Sequence, residues 1–356
     1  NFHLRYLSYQ SEFWEYVPSE EETASLDAAY AKAMENYDDV NIVPIVIGSD
    51  YERCFKDSKN VLKLLKMDLM REKNYDLERY GRFAMAYRQF VRNGGIRSML
   101  CFMTALPSKY GGLKEDVLRR ICNAILVDEA LEPTDNPFVV LRTEGFEATK
   151  GRIIQRLSTG EKVFVVTTYQ TVGAGQNLQY PKPESVETVR VNSFVREGPE
   201  EKDFDAVYLD RPTNILPTTF EEGEVDQLAK YLFDVGFLQA GNEITIEESR
   251  EYIRAAFNRF TGIPKHPSSF MQTDSVRVGA VRDVEQAVGR MCRTNCKSPT
   301  VYVMADAGIA EFMANDISEY GTRLNREFEV IYNKLHAMAS ERSRSVSVGI
   351  DQASDR

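Results

Sequence analysis

From Arg97 to Asp306 the chain alternates between short apolar runs that suit strands and longer runs with a helical period. That alternation limits the fold more than any other feature. RSMLCFMTAL, FVVLRTEG from Phe138, VFVVTT (Val163 to Thr168), AVYLD (Ala206 to Asp210) and TVYVMAD (Thr300 to Asp306) are the strand candidates. Between them, LKEDVLRRICNAILVDEAL repeats Leu113, Val117, Leu118, Ile121, Ile125 and Leu126 at helical spacing, and ATKGRIIQRLSTGEK reads as a short helix ended by Gly160. Strands that alternate with helices imply an α/β fold, with a parallel sheet covered on both faces.

The flanking regions break this rhythm. SEEETASLDAAYAKAMENY, from Ser19, opens with a Ser cap and acidic residues, which favours a helix start. NIVPIVIG (Asn41 to Gly48) is a strand candidate that Pro44 demotes to an edge. Asn60 to Asn93 reads as helical with a break near Asn74, and Asn93-Gly94-Gly95 ends it. Thr213 to Ser275 carries VDQLAKYLFDV and TIEESREYIRAAFNRF. A structureless connection of that length is improbable, so a helical insertion is expected. Its aromatic residues (Tyr231, Phe233, Phe237, Tyr252, Phe257, Phe260) recur at helical spacing and are expected in packing rather than in base stacking. Ile317 to Ala339 reads as one long amphipathic helix, and SERSRSVSVGIDQASDR as a loose polar tail. The expected division is an N-terminal, mostly helical region over 1–95, an α/β lobe over 96–310 with its insertion at about 213–275, and a C-terminal helix and tail over 311–356.

Composition excludes several classes. With 43% hydrophobic and 28% charged residues, wholesale disorder is not expected. No apolar run reaches the ~18 residues of a membrane span, and no signal-peptide pattern opens the sequence. The first residue is Asn rather than Met, so a longer parent chain is expected. The net charge is −10, from 44 basic and 54 acidic residues. It argues against whole-surface steering toward nucleic acid but leaves room for a local basic groove. Acidic clusters at Glu20 to Glu22, Glu197 to Asp205 and Glu221 to Glu224 read as solvated. The five cysteines form no CxxC pair. Cys292 and Cys296 lack further ligands nearby, so no zinc site is expected, and a reducing, intracellular compartment is. The three histidines (His3, His266, His336) make no recognisable catalytic arrangement.

Two stretches carry candidate chemistry. In VFVVTTYQTVGAGQNLQ, a strand ends in Thr167-Thr168 and a glycine-rich turn follows, at the edge where open α/β sheets bind ligands. Glycines there permit close backbone approach, and free N–H groups can meet a phosphate. The dinucleotide fingerprint fails because Leu178 stands at its third Gly position, and no G-x-x-x-x-G-K-[ST] loop is present. In VEQAVGRMCRT (Val284 to Thr294), Arg290 and Arg293 are three apart, a spacing that would put both on one helix face.

Together the two stretches resemble motifs V and VI of superfamily 2 helicases and translocases. Gln286, Gly289, Arg290 and Arg293 match the motif VI spacing, and Gly175, Asn177 and Leu178 match the G-x-N-L end of motif V. Ala287 stands where DEAD-box and DEAH-type members often carry Arg, so the motif is most similar to that of the Swi/Snf-type branch. RSMLCFMTAL is similar to motif IV, and the resemblance covers about Arg97 to Asp306 apart from the insertion.

The resemblance implies a second, C-terminal RecA-like lobe of an ATP-dependent helicase or translocase. Arg290 and Arg293 would be arginine fingers on the γ-phosphate, with Gln286 placing the nucleotide or the attacking water. Gly173, Gly175, Gln176, Asn177 and Gly289 would lie toward the nucleotide, and Thr167 and Thr168 toward a nucleic-acid phosphate, DNA or RNA. ATP and Mg would be held mainly by a first lobe, in cis or in trans, because this chain has no Walker A or Walker B motif. The isolated chain is therefore expected to hydrolyse negligible ATP. Two other readings remain: a catalytically inactive lobe that docks protein or nucleic acid, and an unrelated α/β nucleotide-binding enzyme with its phosphate at Gly173 to Gly175.

Overall fold

The computed structural model describes residues 19–68, 74–108, 113–172, 177–194, 198–212, 225–241, 244–263, 274–313 and 324–354. Its strands are β1 (Asn41–Ile47), β2 (Ser98–Met103), β3 (Val139–Val140), β4 (Val163–Thr168), β5 (Tyr180–Pro181), β6 (Val189–Arg190), β7 (Glu201–Lys202), β8 (Ala206–Leu209), β9 (Cys296–Lys297) and β10 (Thr300–Asp306). Its longer helices are α1 (Glu20–Ala33), α2 (Asn74–Arg92), α3 (Glu115–Asp128), α4 (Phe146–Ser158), α5 (Val225–Ala240), α6 (Ile246–Phe260), α7 (Asp274–Val288) and α8 (Arg326–Ser354).

Six strands form one parallel sheet in the order β1–β10–β8–β2–β4–β3. Every residue of β2, β4 and β8 is buried, which is why these strands read as unbroken apolar runs rather than as alternating ones. β1, supplied by the N-terminal region, is an edge strand and tolerates Pro44 there. The Pro44 carbonyl accepts a hydrogen bond from Lys334 Nζ at 2.9 Å. Phe83, Tyr87 and Phe90 on α2 lay their rings against Phe164 of β4, with centroids 5.7, 5.2 and 5.3 Å away in edge-on geometry. The α/β expectation holds: a parallel sheet flanked by helices, consistent with a RecA-like fold, with a helical insertion and a mostly helical N-terminal region.

Two local expectations need correction. The strand read from Phe138 shrinks to Val139–Val140. Beyond it Arg142 turns to Glu115 and the Pro107 carbonyl, and Gly145, at a φ of 66°, opens α4 in the left-handed region. The polar tail is not loose at its start, because α8 runs from Arg326 through Ser354. From Ser340 to Ser354 there is no Pro to break a helix. The expected helix start at Ile317 lies outside the described residues. In the helical stretch from Asn60, Lys59–Lys63 passes into a π-helical turn, Leu64–Asp68, and α2 is described from Asn74; the residues between them, where the break is expected, lie outside the described residues.

A second, four-stranded sheet, β5–β7–β9–β6, joins three short segments between Tyr180 and Lys202 to one at Cys296–Lys297. It has no counterpart in the sequence reading, since two-residue strands carry no periodicity.

The chain divides into two compact units: Thr23–Pro212 with Asp283–Arg356, and Asn1–Glu22 with Thr213–Arg282. In the latter, Thr245 caps α6 in a reciprocal box with Glu248, and Val235, Leu238, Ile244, Tyr252, Ala255 and Val276 form the core. The aromatic residues of this unit split. Tyr252 is buried and Tyr231 and Phe260 pack against the cores, whereas Phe233, Phe237 and Phe257 are exposed, at 71, 38 and 46%. Core burial therefore accounts for only half of that aromatic series, and Phe233 and Phe237 stack on each other with ring centroids 6.0 Å apart. Among the described residues no helix is long and apolar enough to cross a membrane.

Candidate functional site

The turn after β4 begins with its hydroxyls already engaged. Thr167 is fully buried and donates from Oγ1 to the Leu141 carbonyl at 3.3 Å. Thr168 Oγ1 accepts from the Thr171 amide at 3.1 Å and lies 2.9 Å from Thr171 Oγ1, a side-chain turn that bends the chain out of the sheet. Gly173, Gly175 and Gln176 lie outside the described residues. The chain is described again from Asn177, and Leu178 and Gln179 then lead into β5, both buried.

The second stretch does not keep its two arginines on one helix face. α7 ends at Val288, Gly289–Met291 is a single 3₁₀ turn, and Arg293 sits in a bend beyond it. The flexible Gly289 marks the change of helix type. Arg290 is buried, 2% exposed. Burial and the neighbouring Arg293 charge together push its guanidinium pKa down. Arg293 is half-buried. Its Nη1 donates to Asn177 Oδ1 at 2.7 Å and its Nε to the Gly289 carbonyl at 3.4 Å. Gln286 is exposed on α7, one turn earlier. Thus Asn177, Gly289 and Arg293 are joined by direct hydrogen bonds, while Thr167 and Thr168 turn to Leu141 and Thr171.

A polar cleft of about 400 Å³ opens at this junction, lined by Asn177, Gln179, Glu201, Cys292 and Arg293. Arg293 is its cation and offers the planar fork that suits a phosphate oxygen pair. The Cys292 thiol is raised well above its usual pKa, first by burial and then by Glu327, so it is no thiolate nucleophile at neutral pH.

The loop beneath the cleft corrects another expectation. Glu197 to Asp205 read as solvated, yet Lys202, Asp203 and Asp205 are each 1% exposed. Asp205 Oδ2 accepts from the amides of Arg97 and Ser98 at 2.8 and 2.9 Å and from Ser98 Oγ at 3.1 Å. Its Oδ1 meets Ser298 Oγ at 2.6 Å and pairs with Lys202. Asp203 pairs with Lys297, which pairs in turn with Glu327 on α8 at 2.7 Å. These carboxylates are buried because each is both paired and supplied with hydrogen-bond donors. The signal available in the sequence was the spacing Lys202–Asp205 with Phe204 between, directly before the apolar run AVYL. Glu20 to Glu22 are exposed as expected, and Glu221 to Glu224 lie outside the described residues.

The carboxyl edge of the main sheet carries two further buried pairs. Asp210, just after β8, bonds Arg79 at 3.0 Å and accepts from the Thr104 amide at 3.2 Å, and Asp306, closing β10, bonds Arg82 at 2.9 Å. Both arginines come from α2, so the N-terminal region neutralises the edge where ligands usually sit. Among the described residues no group of three or more His, Cys, Asp or Glu is arranged to hold a metal ion.

Compared with protein-family models and with curated proteins, the chain matches none.

Proposed function

We propose that this chain is the C-terminal motor lobe of an intracellular, ATP-dependent nucleic-acid helicase or translocase. The hydrogen bond from Arg293 to Asn177 carries the reading, because it joins the motif V-like turn to the motif VI-like loop at a polar cleft. ATP and Mg would be held chiefly by a first lobe, and this lobe would form the second wall of the site. Arg293, half-exposed at the cleft, is the group suited to meet charge that spreads over the γ-phosphate oxygens. Arg290, behind it, suits the role of support. Thr167 would need to give up its bond to Leu141 before it could touch a nucleic-acid phosphate.

The burial of Arg290 favours the second reading, a catalytically inactive lobe used for docking nucleic acid or protein. DNA- and RNA-stimulated ATP hydrolysis of the full parent protein separates the two, measured for wild type, Arg290→Ala and Arg293→Ala. Loss of turnover with nucleotide binding retained supports the motor lobe. Unchanged turnover in both variants rejects it.

A further inference from the structure

Asp203 directs its acceptors at the backbone of the residue that bears the cleft's cation. Its carboxylate takes the Arg293 amide, at 3.0 Å to Oδ2 and 3.3 Å to Oδ1, and the Thr294 amide at 3.0 Å. From the other side Lys297 Nζ donates to the Met291 carbonyl. The loop from Met291 to Lys297 is thus gripped at its amides by an acid and at its carbonyl by a base. Lys297 lies 3.3 Å from Asp203 and 2.7 Å from Glu327, and Tyr37 donates its hydroxyl to Glu327 at 2.9 Å. Asp203, Lys297 and Glu327 are all at most 1% exposed, so solvent does not screen the chain of charges.

We propose that Asp203 is a positioning residue for Arg293, and that Glu327 on α8 sets this clamp through Lys297. The proposal rests on Arg293 being the nucleotide-facing cation. A guanidinium acting on a transferring phosphoryl group must be held closely, since a 1 Å displacement can cost about 10²-fold in rate. Two backbone bonds at the Cα that carries the guanidinium supply that restraint without occupying the guanidinium itself. Because the same lysine serves Asp203 and Glu327, movement of the α8 start would loosen the loop.

Hydrogen exchange of the 356-residue chain, resolved by amide, tests the clamp. In wild type the Arg293 and Thr294 amides are expected to be protected like those of β2 and β4. Exchange at free-loop rates would overturn the proposal without any variant, even if Asp203→Asn failed to fold. In Asp203→Asn, protection at Arg293 and Thr294 should fall about 10-fold or more, the scale of one charged hydrogen bond, while β2 and β4 keep theirs. The Arg293 Nε–Hε resonance, assigned by its loss in Arg293→Lys, should shift in the same variant. No local change, or an equal loss across the sheet, would reduce Asp203 to a fold staple and sink the idea. Glu327→Gln should loosen the same two amides by a smaller factor, and an unchanged loop would remove α8 from the clamp. The two readings fail separately. Protected amides with turnover indifferent to Arg293 would reject the motor lobe alone, and free amides with Arg293-dependent turnover would reject the clamp alone.

Discussion

Arg293 and Asn177 lie 116 positions apart in the chain and meet side chain to side chain at 2.7 Å. The contact is at the surface of the lobe, whereas Arg290, three residues earlier, is buried at 2% exposure. The two arginines should therefore separate in stability. Arg293→Ala is expected to change unfolding free energy by less than about 1 kcal/mol, as exposed contacts do. Arg290→Ala should cost about 3 kcal/mol or more, because it empties a buried site. Thermal unfolding of both variants checks this. Under the motor-lobe proposal, Arg293→Ala also loses ~10³ or more in ATP turnover of the parent protein.

Arg79 and Asp210, with side chains 6 and 3% exposed, form the most enclosed pair at the carboxyl edge of the sheet. Arg79→Met leaves the carboxylate without its guanidinium and should destabilise by about 3–5 kcal/mol. The double variant Arg79→Met, Asp210→Leu should recover part of that loss, since an apolar pair needs no desolvation of charge. Denaturant titration of the three proteins measures the cycle, and a fully additive double variant would contradict it.

Acid should weaken the lobe through Glu327. Burial alone would raise its carboxyl pKa, but Lys297 holds it below the ordinary value of 4.5. A group depressed on folding adds stability above its unfolded pKa and loses it as pH falls through the folded pKa. The Lys297 ammonium is opposed by burial but held well above 10.5 by Glu327 and Asp203. Its contribution is thus complete throughout the neutral range and lost only as pH rises through that folded value. Glu327→Gln should therefore lie below wild type in Tm at neutral pH, with the gap closing as pH falls below about 4.5. A gap independent of pH would mean that the charge is not what stabilises.

On α5, Phe233 is 71% exposed and Leu238 is 1% exposed. Phe233→Ala should leave stability within about 0.5 kcal/mol, and Leu238→Ala should cost about 2–5 kcal/mol. Separate unfolding curves for the two variants test whether the helical unit packs on Leu238 and its neighbours.

Legibility in the sequence tracked the length of the signal. β4 and β10 were read residue for residue, and α5 and α6 were placed to within a few residues, because apolar period persists over a whole element. Pro44 placed β1 at an edge through a missing backbone donor, which is a local fact. The sheet formed by β5, β6, β7 and β9 was not legible, since each strand is two residues long and its partners are remote. At the site, the residue types of Asn177 and Arg293 could be singled out, but the bond between them depends on tertiary placement. The shared helix face was misread because Gly289 tightens the turn before Arg293. Asp203 and Asp205 were misread because an acidic run looks solvated until its partners, Lys297 and Ser98, are brought in from about a hundred residues away.

The position of β1 bears on the order in which the molecule can assemble. Asn41 pairs with Thr300, so β1 waits for a partner 259 residues later (300 minus 41). At ribosomal speeds of ~5–20 residues per second that delay is about 13–52 s. β2, β3 and β4 can pair soon after they emerge, but β10 must enter between β8 and β1 to complete the sheet. Completing the sheet therefore joins the two ends of the lobe. Until it happens the apolar flank of β8 is open, and the nascent chain is most vulnerable to mispairing along that flank.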